Sequence, residues 1–334
     1  ADSLHFPDYW TDNKRLREIE KNLEGNWMKL DYAKIDKELL PALDDFPALE
    51  IDRGNIEKIR ALLLERAPLP SALAVKEEEL KIVKADREIP IFIFRKSSKP
   101  SQPVVLWIHG GGYIFGSAYD ERAKVIADFC DCTVVSVEYR LAPEHPFPAG
   151  AEDCMAALEW VFDNADSLGT QAGKIAIGGA SAGAGMAAGV SLMNRDGRNI
   201  PLCFQVLLYP MLDNLHATPS GNITNHPVWK RSTSFNAWEM YLNGTPAEAA
   251  SEYAAPSRAE SLKGLPPTYI SVGSEDLFRD EDIGFGQKLI EDGIPCEMSV
   301  FPGMYHAGEG FAPAAKVSRR LNQSFLAALK DALT

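Results

Sequence analysis

The sequence predicts an α/β fold, a mostly parallel central sheet with helices on both faces. Three observations carry that expectation. From Leu80 onward, short apolar runs of strand length alternate with amphipathic runs of helix length. Two stretches, residues 1 to about 75 and 211 to 257, break that alternation and carry no strand signal. Each group of candidate reactive residues falls just after a predicted strand, where ligands bind in open parallel sheets.

Taken in order, the first 75 residues read as helical. Asp12 to Leu30 interleaves Leu16, Ile19, Leu23 and Trp27 with charges, a spacing that makes one apolar face. Asn55 to Arg66 repeats the pattern through Ile56, Ile59, Leu62 and Leu63, and Pro68-Leu69-Pro70 ends it. Leu80–Val83 and Ile89–Phe94 pair as an antiparallel start across Ala85-Asp86-Arg87. Val104–Ile108 is apolar throughout, as a strand buried on both faces should be.

A helix over Tyr119–Phe129 and a strand over Thr133–Tyr139 follow, then a proline-rich turn from Ala142 to Pro148 and a helix over Glu152–Asn164. Arg140 and Asp153 are expected to tie that turn to the segment around Ser181 by ion pairing, since buried charges are normally paired. Lys174–Ile177 is a strand, Ala184–Asn194 a helix, and Leu202–Tyr209 a strand. Met211 to about Ser257 is too long for an ordinary connection and reads as an insertion beside the N-terminal segment. Its aromatics Trp229, Phe235, Trp238 and Tyr241 either line a pocket or form core. The rhythm resumes with a strand over Pro267–Val272, a helix over Asp280–Glu291, a strand over Cys296–Phe301 and a helix over Ala312–Ala332. The division is therefore 1–78 N-terminal helical cap segment, 79–210 first part of the α/β core, 211–257 cap insertion, and 258–334 second part of the core.

The motif at the centre is Gly179-Ala180-Ser181-Ala182-Gly183, a Gly-x-Ser-x-Gly between a predicted strand and a predicted helix. That spacing makes a nucleophile elbow, a tight turn that projects the serine hydroxyl clear of the sheet. Glycines flank the serine because strand and helix approach too closely there for a Cβ. A serine hydroxyl needs a base to take its proton. His216 and His226 lie in the insertion, whereas His306 follows the last strand in a loop able to reach the elbow. His306 is the expected base. Ser274 to Asp280 offers three carboxylates after the preceding strand: Asp276 is the expected acid, Glu275 its near rival, and Asp280 a first-turn helix residue. His109-Gly110-Gly111-Gly112 after the strand at 104–108 supplies amides for a developing oxyanion. Gly111, Gly112 and Ala182 are the expected donors, with His109 and Gly110 supporting the loop.

Composition bounds the partners. Hydrophobic residues at 46% and charged residues at 24% suit a globular chain with a sizeable core. A net charge of −13 argues against nucleic acid and anionic membrane surfaces. The apolar runs fall short of the roughly 18 residues expected of a membrane span, and Ala1 to Trp10 does not read as a signal segment. Five scattered cysteines without metal-ligand spacing predict reduced thiols, a cytoplasmic setting and no metal.

Taken together, His109-Gly110-Gly111-Gly112, Tyr139-Arg140-Leu141-Ala142-Pro143-Glu144 with Phe147-Pro148-Ala149, the elbow, Asp276-x-x-Arg279-Asp280 and His306 resemble the hormone-sensitive-lipase family of carboxylesterases. The resemblance spans roughly residues 80 to 330. It implies an α/β-hydrolase fold with a helical cap, and hydrolysis of short- to medium-chain acyl esters of small molecules without a cofactor. It also implies Ser181 as nucleophile, Asp276 as acid, His306 as base, and dimers through the strand at Cys296–Phe301. One departure is Ala180, where most members carry an acidic residue, so substrate preference is not carried over. The same triad serves an amidase or deacetylase, which is the alternative activity. A non-catalytic receptor on this fold would have lost part of the triad, and here Ser181, Asp276 and His306 all remain.

Overall fold

The computed structural model describes residues 28–44, 50–65, 73–97 and 99–334. Eight strands form one sheet: β1 (Lys76–Val83), β2 (Glu88–Arg95), β3 (Gln102–Ile108), β4 (Thr133–Val137), β5 (Thr170–Ala180), β6 (Phe204–Leu208), β7 (Thr268–Gly273) and β8 (Cys296–Phe301). Their spatial order is β1-β2-β4-β3-β5-β6-β7-β8. β1 pairs antiparallel with β2, and β2 antiparallel with β4. Every pairing from β4 through β8 is parallel.

Seven helices of ten residues or more accompany the sheet among the described residues: α1 (Ile56–Glu65), α2 (Glu121–Cys130), α3 (Ala149–Asp163), α4 (Ala182–Asp196), α5 (Arg231–Leu242), α6 (Arg279–Glu291) and α7 (Lys316–Leu333). The alternation of side chains along β3 shows how the layers form. Val104, Leu106 and Ile108 join the apolar cluster that holds Ala157 and Leu158 of α3 and Ala187 of α4. Val105 and Trp107 join the opposite cluster with Ile126 of α2 and Leu321 and Phe325 of α7. A strand with two buried faces has no polar side, which is why the central strands read as unbroken apolar runs.

From Asn55 onward the expected strands and helices are present, most with shifted ends. β5 begins at Thr170 rather than Lys174, and its register with β3 slips between Gln102 and Val104. The C-terminal helix begins at Lys316 rather than Ala312, because Pro313 interrupts it and Gly308–Phe311 forms a separate turn. The helix expected over Asp12–Leu30 lies outside the described residues as far as residue 27. Residues 28–30 are not helical, and Met28 bridges Ile223 instead. Pro68-Leu69-Pro70 also lies outside the described residues.

The stretch between β6 and β7 carries α5 and packs beside the N-terminal segment. Asn225 Oδ1 accepts from the Leu30 amide at 2.6 Å, and Asn236 donates to the Ile51 carbonyl at 2.9 Å. Arg60 of α1 bonds the carbonyls of Ile114 and Ala142 and forks onto Glu144, so the N-terminal segment is fastened to the loops at the carboxyl ends of the strands. All five cysteines are free thiols. Among the described residues, no helix is long and apolar enough to cross a membrane.

Candidate active site

The turn from β5 into α4 places Ser181 at φ +57° and ψ −123°, a conformation that costs free energy for a residue with a side chain. The turn is held from both sides. The Ser181 amide donates to the Leu208 carbonyl at the end of β6, and the Ser181 carbonyl accepts from the Met211 amide. Close approach explains the flanking glycines. A Cβ on Gly183 would lie 2.1 Å from the Ile108 carbonyl oxygen, and one on Gly179 would lie 2.5 Å from the Gly183 carbonyl carbon. Ala180 is buried within the cluster that holds Leu208, Tyr209 and Met304, so the position usually filled by an acid is apolar here in its surroundings too.

The loop after β8 brings His306 to this turn, and the loop after β7 brings Asp276. Ser181 Oγ stands 2.9 Å from His306 Nε2. On the other side of the ring, His306 Nδ1 lies 2.9 and 3.1 Å from the two Asp276 carboxylate oxygens. A carboxylate only accepts, so Nδ1 carries the ring proton and Nε2 is left as an acceptor for the serine hydroxyl. Asp276 is fixed in turn by the Phe278 amide, which donates to its Oδ1 at 3.0 Å. All three side chains are buried, with Ser181 at 8% exposure. The rival carboxylates point elsewhere: Glu275 accepts from the Ser274 hydroxyl, and Asp280 pairs with Arg279 and accepts from the Ser220 amide.

Three buried histidines besides His306 are occupied. His216 lies 2.7 Å from the Ser234 hydroxyl, and His226 contacts the carbonyls of Glu275 and Ser220. His109 stacks on Tyr139 with ring centroids 4.3 Å apart, and its Nδ1 lies 2.8 Å from the Gly110 carbonyl. Burial holds its pKa below the usual histidine value, so the ring is neutral and Nδ1–H donates.

The glycine loop stands against the elbow. A Cβ on Gly110 would lie 2.7 Å from the Ala180 carbonyl oxygen. Gly111 and Gly112 take φ of +120° and +60°, which a side chain would oppose. Ala182 is the first residue of α4, where the helix presents unpaired N–H groups and a positive dipole end. The glycine loop thus adjoins Ser181 on one side, and the start of α4 follows it on the other.

Several neighbours of the site carry no motif. Tyr209 and Phe278 pack edge-on against the His306 ring at 5.0 and 5.1 Å. The buried Tyr209 hydroxyl and Glu309 form a hydrogen-bonded cluster with the half-buried Arg122. Glu281 Oε1 accepts from the amides of Leu212 and Asp213, which fixes the segment whose Met211 amide holds the Ser181 carbonyl. Burial pushes the carboxyls of Glu281 and the adjacent Asp282 well above the usual range. Only proximity in the fold identifies these residues, since they come from separate strand ends.

The insertion aromatics divide. Trp238 and Tyr241 pack on Tyr113 as core, whereas Phe235 is half-buried between His216 and the Arg231 guanidinium. Trp229 alone of the four reaches His306, with ring centroids 6.4 Å apart. The Arg140–Asp153 pair forms at 2.8 Å, but it ties the proline-rich turn to α3 and, through Arg87, to the β1–β2 turn rather than to the elbow.

A family model described as alpha/beta hydrolase fold matches residues 105–309. The esterase LipI of Mycobacterium tuberculosis is 35% identical over 311 residues, covering 90% of this chain and 95% of that protein. The arylesterase of Saccharolobus solfataricus is 31% identical over 285 residues, covering 82% of this chain and 89% of that protein. Among solved structures, a bacterial heroin esterase superposes with a TM-score of 0.84 at 36% identity, over 91% of this chain and 99% of that one. With its mostly parallel eight-stranded sheet and these relatives, the chain belongs to the hormone-sensitive-lipase-like family of carboxylesterases in the α/β-hydrolase superfamily.

Proposed function

We propose that the chain hydrolyses short- to medium-chain acyl esters through Ser181, His306 and Asp276, by way of an acyl-enzyme. The observation that carries this reading is the unbroken hydrogen-bonded line from Ser181 Oγ through both ring nitrogens of His306 to Asp276. Ser181 Oγ attacks the ester carbonyl carbon while its proton passes to His306 Nε2. The carbonyl oxygen gains negative charge and turns toward the amides of Gly111, Gly112 and Ala182. Losing one such donor typically lowers turnover on the order of a hundredfold or more.

The bond from carbonyl carbon to alkoxy oxygen then breaks, and His306 returns its proton to the leaving alcohol. Water attacks the acyl carbon while His306 takes one of its protons; the bond from that carbon to Ser181 Oγ then breaks, His306 returns the proton to Oγ, and the acid departs. Asp276 stays ionised throughout: it fixes the Nδ1–H tautomer and stabilises the imidazolium. The described residues of the 1–78 segment, together with 211–257, form the cap over this centre in our reading, supported by the contacts of Asn225 and Asn236 with Leu30 and Ile51.

The test is covalent. A serine-reactive alkyl phosphonate is expected to label Ser181 and abolish hydrolysis of 4-nitrophenyl esters of graded acyl length. Ser181→Ala is expected to fold, resist labelling and lose turnover. Substantial turnover remaining in that variant would overturn the reading.

A further inference from the structure

Trp229 stands out among the residues around the candidate site. It is only 6% exposed, yet its indole N–H has no hydrogen-bond partner. A buried donor without an acceptor is costly, and native structures seldom keep one without a use. The ring faces the glycine loop: a Cβ on Gly112 would lie 2.4 Å from Trp229 Cη2 and 2.9 Å from Cζ2. In an indole, Cζ2 and Nε1 are bonded to the same ring carbon, so the free N–H sits on the ring edge adjoining Gly112. Phe115 and His306 flank the same ring at 6.2 and 6.4 Å.

The backbone that carries Trp229 is strained and fixed. The Trp229 amide donates to the Pro227 carbonyl at 2.7 Å, closing a three-residue γ-turn over Val228 at φ +63°. A β-branched residue with positive φ is a true outlier, and such strain collects at ligand clamps. Both flanks are anchored to main chain. His226 contacts the carbonyls of Glu275 and Ser220, and Arg231 Nε donates to the Gly221 carbonyl at 2.8 Å. The turn therefore sets the direction of the indole before any ligand arrives, which lowers the entropy lost on binding.

We propose that Trp229 determines specificity by donating its indole N–H to a second oxygen acceptor of the bound ester, beyond the scissile carbonyl. The inference rests on the ester-hydrolase reading above and names the substrate class within it: esters bearing an ether, ester or keto oxygen a few atoms from the reacting carbon. A plain alkyl ester leaves the N–H unpaired, and a site built around a donor discriminates against the analogue that lacks the acceptor.

The test compares substrates that differ by oxygen for methylene. On the acyl side these are 4-nitrophenyl methoxyacetate and 4-nitrophenyl butanoate; on the alcohol side, 2-methoxyethyl acetate and butyl acetate. Intrinsic reactivity within each pair cancels when the kcat/KM ratio of a variant is divided by that of the unmodified enzyme. Trp229→Phe keeps an aromatic ring and loses the donor. It is expected to lower the oxygen-to-methylene ratio of one pair by roughly tenfold, about the worth of one hydrogen bond. Which pair shifts tells whether the acceptor lies in the acyl or the alcohol portion.

Trp238→Phe removes another buried indole N–H without a partner, away from His306, and is expected to leave both ratios within twofold. An equal shift in Trp238→Phe would assign the effect to loosened packing and overturn the proposal. So would unchanged ratios in a Trp229→Phe enzyme that still turns over all four esters, an outcome that leaves the roles of Ser181 and His306 untouched. Should Trp229→Phe fail to fold, Trp229→Leu also lacks a donor and carries the same comparison.

Discussion

Asp276 grips the Nδ1 side of His306 with both carboxylate oxygens, at 2.9 and 3.1 Å, while the neighbouring Glu275 turns toward the Ser274 hydroxyl. Adjacent carboxylates on one turn therefore have separate tasks, and amide substitutions tell them apart. Asp276→Asn keeps the shape but presents a donor to Nδ1, which favours the tautomer with the proton on Nε2. That tautomer cannot accept from Ser181. Turnover of a 4-nitrophenyl ester is expected to fall roughly a thousandfold or more, and Glu275→Gln to fall less than about fivefold. Steady-state kinetics on both variants checks this, and comparable losses would refute the assignment of the acid.

Gly183 gives a purely geometric prediction. A methyl group there would sit 2.1 Å from the Ile108 carbonyl oxygen and 2.3 Å from that of His109, and neither backbone atom can yield without moving β3 or α4. Gly183→Ala is expected to destabilise the fold by about 2 kcal/mol, in the range of other overpacked sites. It should also displace Ser181 from His306. Urea unfolding measures the first effect and the rate of phosphonate labelling the second. A variant that is as stable and as quickly labelled as the unmodified enzyme would mean the elbow is looser than these distances allow.

Asp153 is 1% exposed in its side chain and receives Arg140 from Nε, Nη2 and the backbone amide, together with Arg87 Nε. Removing the single buried partner of two guanidiniums should cost more than removing either cation. Asp153→Ala is expected to lower stability by about 2–3 kcal/mol, the lower end for a broken buried pair because both arginines keep some solvent. Arg140→Ala should cost about half as much, since Arg87 still neutralises the carboxylate. Equal losses in denaturant titrations would contradict this ordering.

Local pattern explains what was legible in the sequence. β3 extends its expected core by only two residues, because burial on both faces leaves a direct trace in residue type, and β8 runs over Cys296–Phe301 as expected although only Phe301 of it is buried. The start of β5 is hidden because Ala172 and Gly173 are poor strand formers and the segment joins through an irregular register. In the site, Ser181 and the glycine loop are written locally, and His306 follows from chain order. The preference for Asp276 over Glu275 rested on a turn whose side-chain directions only three dimensions fix. The sequence leaves Trp229 open between pocket and core and gives no sign of Tyr209 and Phe278 as neighbours of His306, since an aromatic beside a reacting group and one in the core are the same letter.

His216 supplies a pH dependence with a defined sign. The ring is buried beside the Ser234 hydroxyl, and burial, reinforced by the positive charge of Arg231, lowers its pKa to about 3. The unfolded chain regains a histidine pKa near 6.5. Between those values the unfolded state binds the extra proton, so stability is full above about pH 6.5 and falls as the pH drops toward 3. The slope from this one group is at most about 1.4 kcal/mol per pH unit. His226 and His109 are also shifted downward by burial and add to the slope in the same direction. Urea titrations at pH 7.5 and 5.0 should therefore show a loss on acidification that is smaller by about 1–2 kcal/mol in His216→Gln, whose amide can still meet Ser234. Comparing each variant with itself at the two pH values removes the constant cost of the substitution. The same drop in both proteins would mean that His216 takes up its proton while the protein stays folded.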